Sequence, residues 1–91
     1  MQTRAILSVL GADRVGIVAA IATALAENSV NIEDIQQSIL SGVFSMTMLV
    51  SIDEEAHPFE QVQARLAEVA EQLGMQVTLQ REDVFRFMHR V

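Results

Sequence analysis

The first strand is predicted to pass into the first helix through the stretch Leu10-Gly11-Ala12-Asp13-Arg14-Val15-Gly16-Ile17-Val18. Residues 3–10 are rich in Ile, Leu and Val, which is typical of a buried strand. Residues 15–27 carry apolar side chains at helical spacing. This spacing predicts a buried helix face made by Val18, Ile21, Ala22 and Leu25. The stretch therefore joins a strand directly to a helix.

The two ends of this helix carry residues that often cap helices. Asp13 is predicted to be the N-cap, and Asn28 is predicted to close the helix in a left-handed conformation. Gly16 falls in the first turn, where a missing Cβ leaves room for a ligand or a neighbouring backbone.

Two strands are predicted to follow. Residues 30–40 form the first of them, and because Ile32 is out of step with Ile35, a bulge is expected near Glu33-Asp34. Ser41-Gly42 predicts a tight turn. The next strand has an apolar residue at every second position, which predicts one buried face made by Phe44, Met46, Met48, Val50 and Ile52.

The remaining third of the chain predicts a second helix, a fourth strand and a helical tail. Pro58 is expected to be the first residue of the helix, and Gly74 is expected to end it. Apolar and polar residues alternate over residues 75–80, as in a strand. Residues 84–91 are expected to form a short helix that packs back on the domain.

The order strand, helix, strand, strand, helix, strand predicts an α+β fold. One four-stranded antiparallel sheet with two helices on one face and a short C-terminal helical tail satisfies every connection length. The 91 residues contain no linker or repeat, so one domain is expected over residues 1–91.

Composition excludes several classes of function. The chain has no cysteine, so disulfides, thiolate catalysis and cysteine-bearing metal sites are ruled out. Its net charge of -6 opposes binding to nucleic acid and to anionic membranes. Neither a signal peptide nor a membrane-spanning stretch is recognisable, so a cytoplasmic location is expected. The sequence predicts no metal and no cofactor.

The chemistry of the loop before the first helix favours a small zwitterion. Backbone N–H groups at a helix start attract carboxylates, and Asp13 beside them would attract an ammonium group. Asp13 would repel a pyrophosphate, and no Lys-Ser or Lys-Thr pair follows, so nucleotide-binding loops are excluded. From these residues alone, a purely structural role remains open, in which Asp13 caps the helix and Gly16 eases packing.

The stretch from Leu10 to Val18 resembles the signature of the ACT domain family, in which a strand leads through glycine and Asp/Asn-Arg-Pro-Gly into the first helix. Asn28-Ser29-Val30-Asn31-Ile32 is similar to the family's Val-Asn-Ile entry to the second strand. The tail Phe87-Met88-His89-Arg90-Val91 resembles that of the short, free-standing bacterial (UPF0237-like) ACT proteins, which are related to the glycine cleavage system repressor. The resemblance covers the whole chain and implies a ferredoxin-like fold.

The resemblance also implies a function, which is amino-acid or similar small-molecule binding between two ACT domains, without enzymatic activity. One domain would supply the loop and its neighbour would supply the second strand. The implied ligand-binding residues are Gly11, Ala12, Asp13, Arg14, Val15, Gly16 and Ile17 on the loop, with Asn31 and Ile32 on the strand. Val15 departs from the family pattern, because many members have proline there and proline would pre-set the helix start.

Three other functions are alternatives for a chain of this topology. An RNA-binding domain of the same topology needs aromatic residues and a basic surface, whereas this chain is acidic and has only Phe44 in its central strands. An acylphosphatase-like enzyme needs a cooperating arginine and asparagine; Arg14 and Asn31 match, but Asp13 opposes an anionic substrate. A regulator that binds a partner protein and no metabolite remains the alternative.

A homodimer is expected from the second strand, which lies at the sheet edge in this topology. Its predicted range, residues 30–40, is long and has no lysine or proline to prevent pairing with another strand. Two such edges would join two sheets into one.

Overall fold

The third strand shows how the sequence builds the sheet. In the computed structural model, which describes residues 2–88, strand β3 runs over Val43–Asp53. Its side chains alternate between a buried and a largely exposed face as far as Leu49. The five residues predicted to face one way are all buried: Phe44, Met46, Met48, Val50 and Ile52. The period of two therefore identified the core face correctly.

The predicted α+β order is confirmed over the described residues. The elements are β1 (Gln2–Ala12), α1 (Ile17–Glu27), β2 (Asn31–Leu40), β3, α2 (Phe59–Leu73), β4 (Gln76–Arg81) and α3 (Glu82–Met88). The four strands form one antiparallel sheet in the order β2-β3-β1-β4. Both long helices cover one face, and their apolar residues form one core with the buried side chains of β1, β3 and β4.

The ends of α1 differ from the prediction. Asp13 is not the N-cap; that position is taken by Gly16, and no side chain caps the helix. Asn28 follows the helix, but with φ -103° it is not left-handed, and Ser29 with φ 56° is the left-handed residue. The buried Asn28 amide instead donates to the Ala24 carbonyl at 3.0 Å. Its side chain thus satisfies a backbone group from the last turn of the helix.

The buried face of α1 also differs in part. Ile21 and Leu25 are buried as predicted, but Ile17 and Ala24 complete the face. Val18 keeps 37% of its area exposed and Ala22 is half-buried. The buried face is thus rotated towards Ile17 and Ala24, and the helix begins at Ile17, two residues later than the apolar spacing suggested.

The second helix lies close to its predicted bounds. Pro58 occupies the N-cap, one residue before the helix, and Gly74 ends it in the left-handed conformation with φ 69°. Among residues 2–88 no helix has the length and apolar character that a membrane span requires. The short tail helix is also confirmed, as α3, although it starts at Glu82; residues 89–91 of its predicted range lie outside the described residues.

A polar cluster joins β1, β4 and the loop before α2. Thr3 and Arg81 both donate hydrogen bonds to the Glu54 carboxylate. The Thr3 hydroxyl and the nearby Arg81 guanidinium hold the pKa of Glu54 below its ordinary value. Arg81 also lies 4.2 Å above the ring of Phe59. These contacts fix the end of the sheet where β1 begins.

Candidate functional site

The loop before α1 is tied to the neighbouring turn of the sheet. Because Ala12 pairs with Val43 and Val43 pairs with Leu40, the end of β1 lies beside the β2–β3 turn. The backbone N–H of Asp13 donates to the carbonyl of Gly42 at 2.9 Å. The loop thus has a fixed position at one end of the sheet.

Gly16 is required by backbone conformation. Its φ is 90°, a value that L residues with a Cβ rarely adopt. A Cβ built there would meet no atom of this chain within 4 Å. The expected close approach at Gly16 is therefore absent within the chain, and the residue instead lets the backbone turn sharply into α1.

The close approach occurs at Gly11. A Cβ at this position would lie 2.6 Å from Sδ of Met75, which is buried beneath the end of β1. Gly11 therefore has a packing role, since any larger residue would displace Met75. Sequence reasoning missed this contact, because nothing local links two residues so far apart in the chain.

Arg14 contacts the second helix. Its Nη1 donates to the carbonyl of Leu73, the last residue of α2, at 3.1 Å. A positive charge is favourable at a helix C-terminus, where the last carbonyls lack partners within the helix. The guanidinium is therefore engaged in holding the loop against α2.

The remaining loop residues divide into exposed and buried positions. Ala12, Asp13 and Val15 are exposed, and Val15 keeps 97% of its area exposed. Ile17 is only 2% exposed, so its side chain belongs to the core and only its backbone can face a ligand. The Asp13 carboxylate has no hydrogen-bond or ion-pair partner among residues 2–88. The N–H groups of the first turn of α1 have no side-chain acceptor, and Asp13 lies three residues before the N-cap Gly16.

The structure does not bring Asn31 and Ile32 to this loop within one chain. Asn31 pairs with Ser51, which pairs with Arg4, so it lies at the opposite end of the sheet. The ten residues of β2 separate the two ends by about 30 Å. The acylphosphatase-like pairing of Arg14 with Asn31 is therefore wrong for a single chain, and Arg14 already contacts Leu73.

Comparison with known proteins identifies the family. Residues 3–80 match the model of the ACT domain. A UPF0237 protein of Methanopyrus kandleri is 48% identical over 90 residues, which cover 99% of this chain and 100% of the relative. Relatives of the same description occur in other archaea and in Listeria, so the group extends beyond bacteria.

Solved structures agree with this assignment. The ACT domain protein from Streptococcus pneumoniae superposes with a TM-score of 0.79 and is 32% identical over 91% of this chain and 93% of that one. A structure assigned as a glycine cleavage system transcriptional repressor shares the fold, with a TM-score of 0.80 and 20% identity over 89% of this chain and 46% of that one. The chain belongs to the ACT domain family.

Proposed function

We propose that the protein is a regulatory domain that acts as a homodimer and binds a small amino acid at the dimer seam. Domains of the ACT family are regulatory and bind small ligands. The observation that carries the proposal is the position of the two half-sites at opposite ends of an exposed edge strand.

The edge strand β2 supports the dimer. All ten of its residues are exposed. On the helix-covered side, Ile32, Ile35 and Ile39 keep between 37% and 60% of their area exposed, whereas their partners on β3 are buried. An exposed row of isoleucines on an unpaired edge is an unfavourable surface for a single chain in water. A second β2 strand would cover it.

Antiparallel pairing of two β2 strands would complete the site. About a twofold axis, the start of one β2 lies beside the end of the other. The partner's Asn31 would then approach Leu40, next to the turn whose Gly42 carbonyl binds the loop. Two half-sites that are about 30 Å apart in one chain would become neighbours across the seam.

The chemistry of this seam fits an amino acid. The ligand carboxylate would accept hydrogen bonds from the N–H groups of residues 15–17, which lead into α1 and include its first residue. Its ammonium group would bind the Asp13 carboxylate and the side-chain oxygen of the partner's Asn31. Each charge-assisted contact would contribute about 1.5–3 kcal/mol.

Asp13→Asn and Asp13→Ala should both weaken amino-acid binding by about tenfold or more, because each removes the charge that pairs with the ligand ammonium. Since Asp13 does not cap α1, neither change should alter the melting temperature of the ligand-free protein appreciably. A thermal-shift screen of amino acids at millimolar concentration identifies the ligand, and titration calorimetry then compares the variants. Glu60→Gln in the first turn of α2 is the control, because it removes the same charge at the end of that helix away from the loop.

If none of the amino acids binds the parent protein at millimolar concentration, the sensor proposal fails. The alternative, a regulator that docks on a partner protein through the same exposed strand, would then take its place. We assign no enzymatic role, because the Asp13 carboxylate opposes an anionic substrate and the Arg14 guanidinium already donates to the Leu73 carbonyl.

A further inference from the structure

The face of the sheet opposite the helices carries an extended area without charge. The strand registers align its side chains in rows across the sheet. Three successive rows at the end nearest the β2–β3 turn contain Leu40, Val43 and Ala12; Ser38, Ser45, Leu10 and Gln76; and Gln36, Thr47, Ser8 and Thr78. None of these side chains ionises. We call this set of residues the neutral face.

The neutral face is open to solvent in the single chain. All of its residues are exposed except Ser8, which is half-buried. Leu40 keeps 76% of its area exposed, and Leu10 and Val43 keep nearly half. The other end of the same sheet face differs, because it carries Asp34 and Arg4, and Arg4 forms an ion pair with Glu82 at the start of α3.

The lack of charge is informative in a chain this acidic. Charged residues make up 20% of the sequence and leave a net charge of -6. Two copies of such a chain repel one another over most of their surfaces, so a contact between copies is favoured where charge is absent. A basic partner protein would gain nothing from a neutral surface, because no carboxylate there could attract it.

We propose that the neutral face is covered by a second copy of itself, so that two edge-paired dimers pack sheet against sheet into a tetramer. This inference rests on the proposed edge-paired dimer. Sheets pack face to face at about 10 Å when their facing side chains interdigitate. Small Ser and Thr side chains between leucines suit that packing, and they can exchange hydrogen bonds across it.

The area of contact explains why dimers, and not single chains, would associate. Rows about 6.7 Å apart on strands about 4.8 Å apart give one neutral face on the order of 350–400 Å². A stable interface needs about 800 Å² from each partner. Pairing through β2 about an axis perpendicular to the sheet places two neutral faces on the same side of the joined sheet. Because the paired strands are antiparallel, the two faces lie at opposite ends of the joined sheet, and together they offer twice the area.

The test is the mass of the full chain by light scattering after size exclusion, at several micromolar concentrations. The parent should have about four times the chain mass of 10.0 kDa. Leu10→Glu places a charge in the neutral face and should halve the mass. Ile35→Lys blocks the β2 edge and should give monomers, because one neutral face is too small to associate alone. Gln72→Glu, on the exposed side of α2, adds the same charge as a control and should leave the tetramer intact. Circular dichroism confirms that each variant is folded.

The possible outcomes separate this inference from the proposed dimer. A parent that is a dimer, unaffected by Leu10→Glu and dissociated by Ile35→Lys, would overturn the tetramer and leave the edge-paired dimer standing. A tetramer that survives Leu10→Glu would also overturn the inference. A parent dimer that is dissociated by Leu10→Glu and not by Ile35→Lys would contradict edge pairing and the tetramer together. A monomeric parent would contradict both.

Discussion

A Gly16→Leu protein should lose amino-acid binding while it remains folded. With φ at 90°, leucine at this position is strained, and the chain is expected to lose about 1–2 kcal/mol of stability. Relief of that strain would rotate the peptide groups at the start of α1, including the N–H donors proposed to hold the ligand carboxylate. Titration calorimetry with the amino acid from the thermal-shift screen measures the loss.

Gly74→Leu is the matched control for this change. Gly74 also has positive φ, at 69°, and a Cβ there would meet no atom within 4 Å. The same substitution thus introduces comparable strain next to the Leu73 carbonyl that Arg14 contacts, but it does not change the backbone at the start of α1. The Gly74 variant should bind as the parent does; equal binding by the Gly16 variant would exclude the loop as the site.

Leu7→Ala should lower the free energy of unfolding by about 2–5 kcal/mol. Leu7 is fully buried on the central strand β1, between Met48 on β3 and Leu79 on β4. Truncation there removes apolar contacts and leaves a cavity in the middle of a small core. Ser8→Ala, the next residue and on the opposite face, should change stability by no more than about 0.5 kcal/mol. Urea unfolding of both variants compares them, and similar losses would contradict the register of β1.

Sequence alone predicted the parts of the fold that depend on local pattern. The alternation in β3 identified its buried face, because side chains on a strand alternate strictly between two sides. The bulge expected near Glu33-Asp34 is confirmed between Ile32 and Asp34. In both cases the prediction depends only on the order of apolar and polar residues that are close in sequence. A shift of the strand register by one residue would expose all the apolar side chains of the buried face to water.

The start of α1 could not be predicted from local pattern. Asp13 is a favourable capping residue, yet the loop uses its N–H for the Gly42 carbonyl and the helix starts after Gly16. The hydrogen bond from Arg14 to Leu73 joins residues 59 positions apart. Such tertiary contacts are absent from any short window of sequence, and here they override the capping preference.

The residues of the candidate site and its place between two chains are both expectations from the resemblance to the ACT family. The loop and the start of β2 were both selected from the sequence, and only the strand order places them at opposite ends of β2. That separation requires two chains if one ligand is to contact both. The proposed site therefore exists only if a second copy of the chain contributes its β2 residues.

The most direct test of that claim is complementation between two defective chains. Gly16→Leu damages the loop and Asn31→Ala damages the strand, so each homodimer should bind the amino acid at least about tenfold more weakly than the parent. Refolding the two variants together at equal concentration forms mixed dimers. In each mixed dimer, one of the two binding sites combines an intact loop with an intact strand. Calorimetry should then detect about a quarter of the parent's number of binding sites, with the parent's affinity. Half of the dimers are mixed, and each mixed dimer has one intact site out of two. A mixture that recovers no site would contradict a binding site shared between two chains.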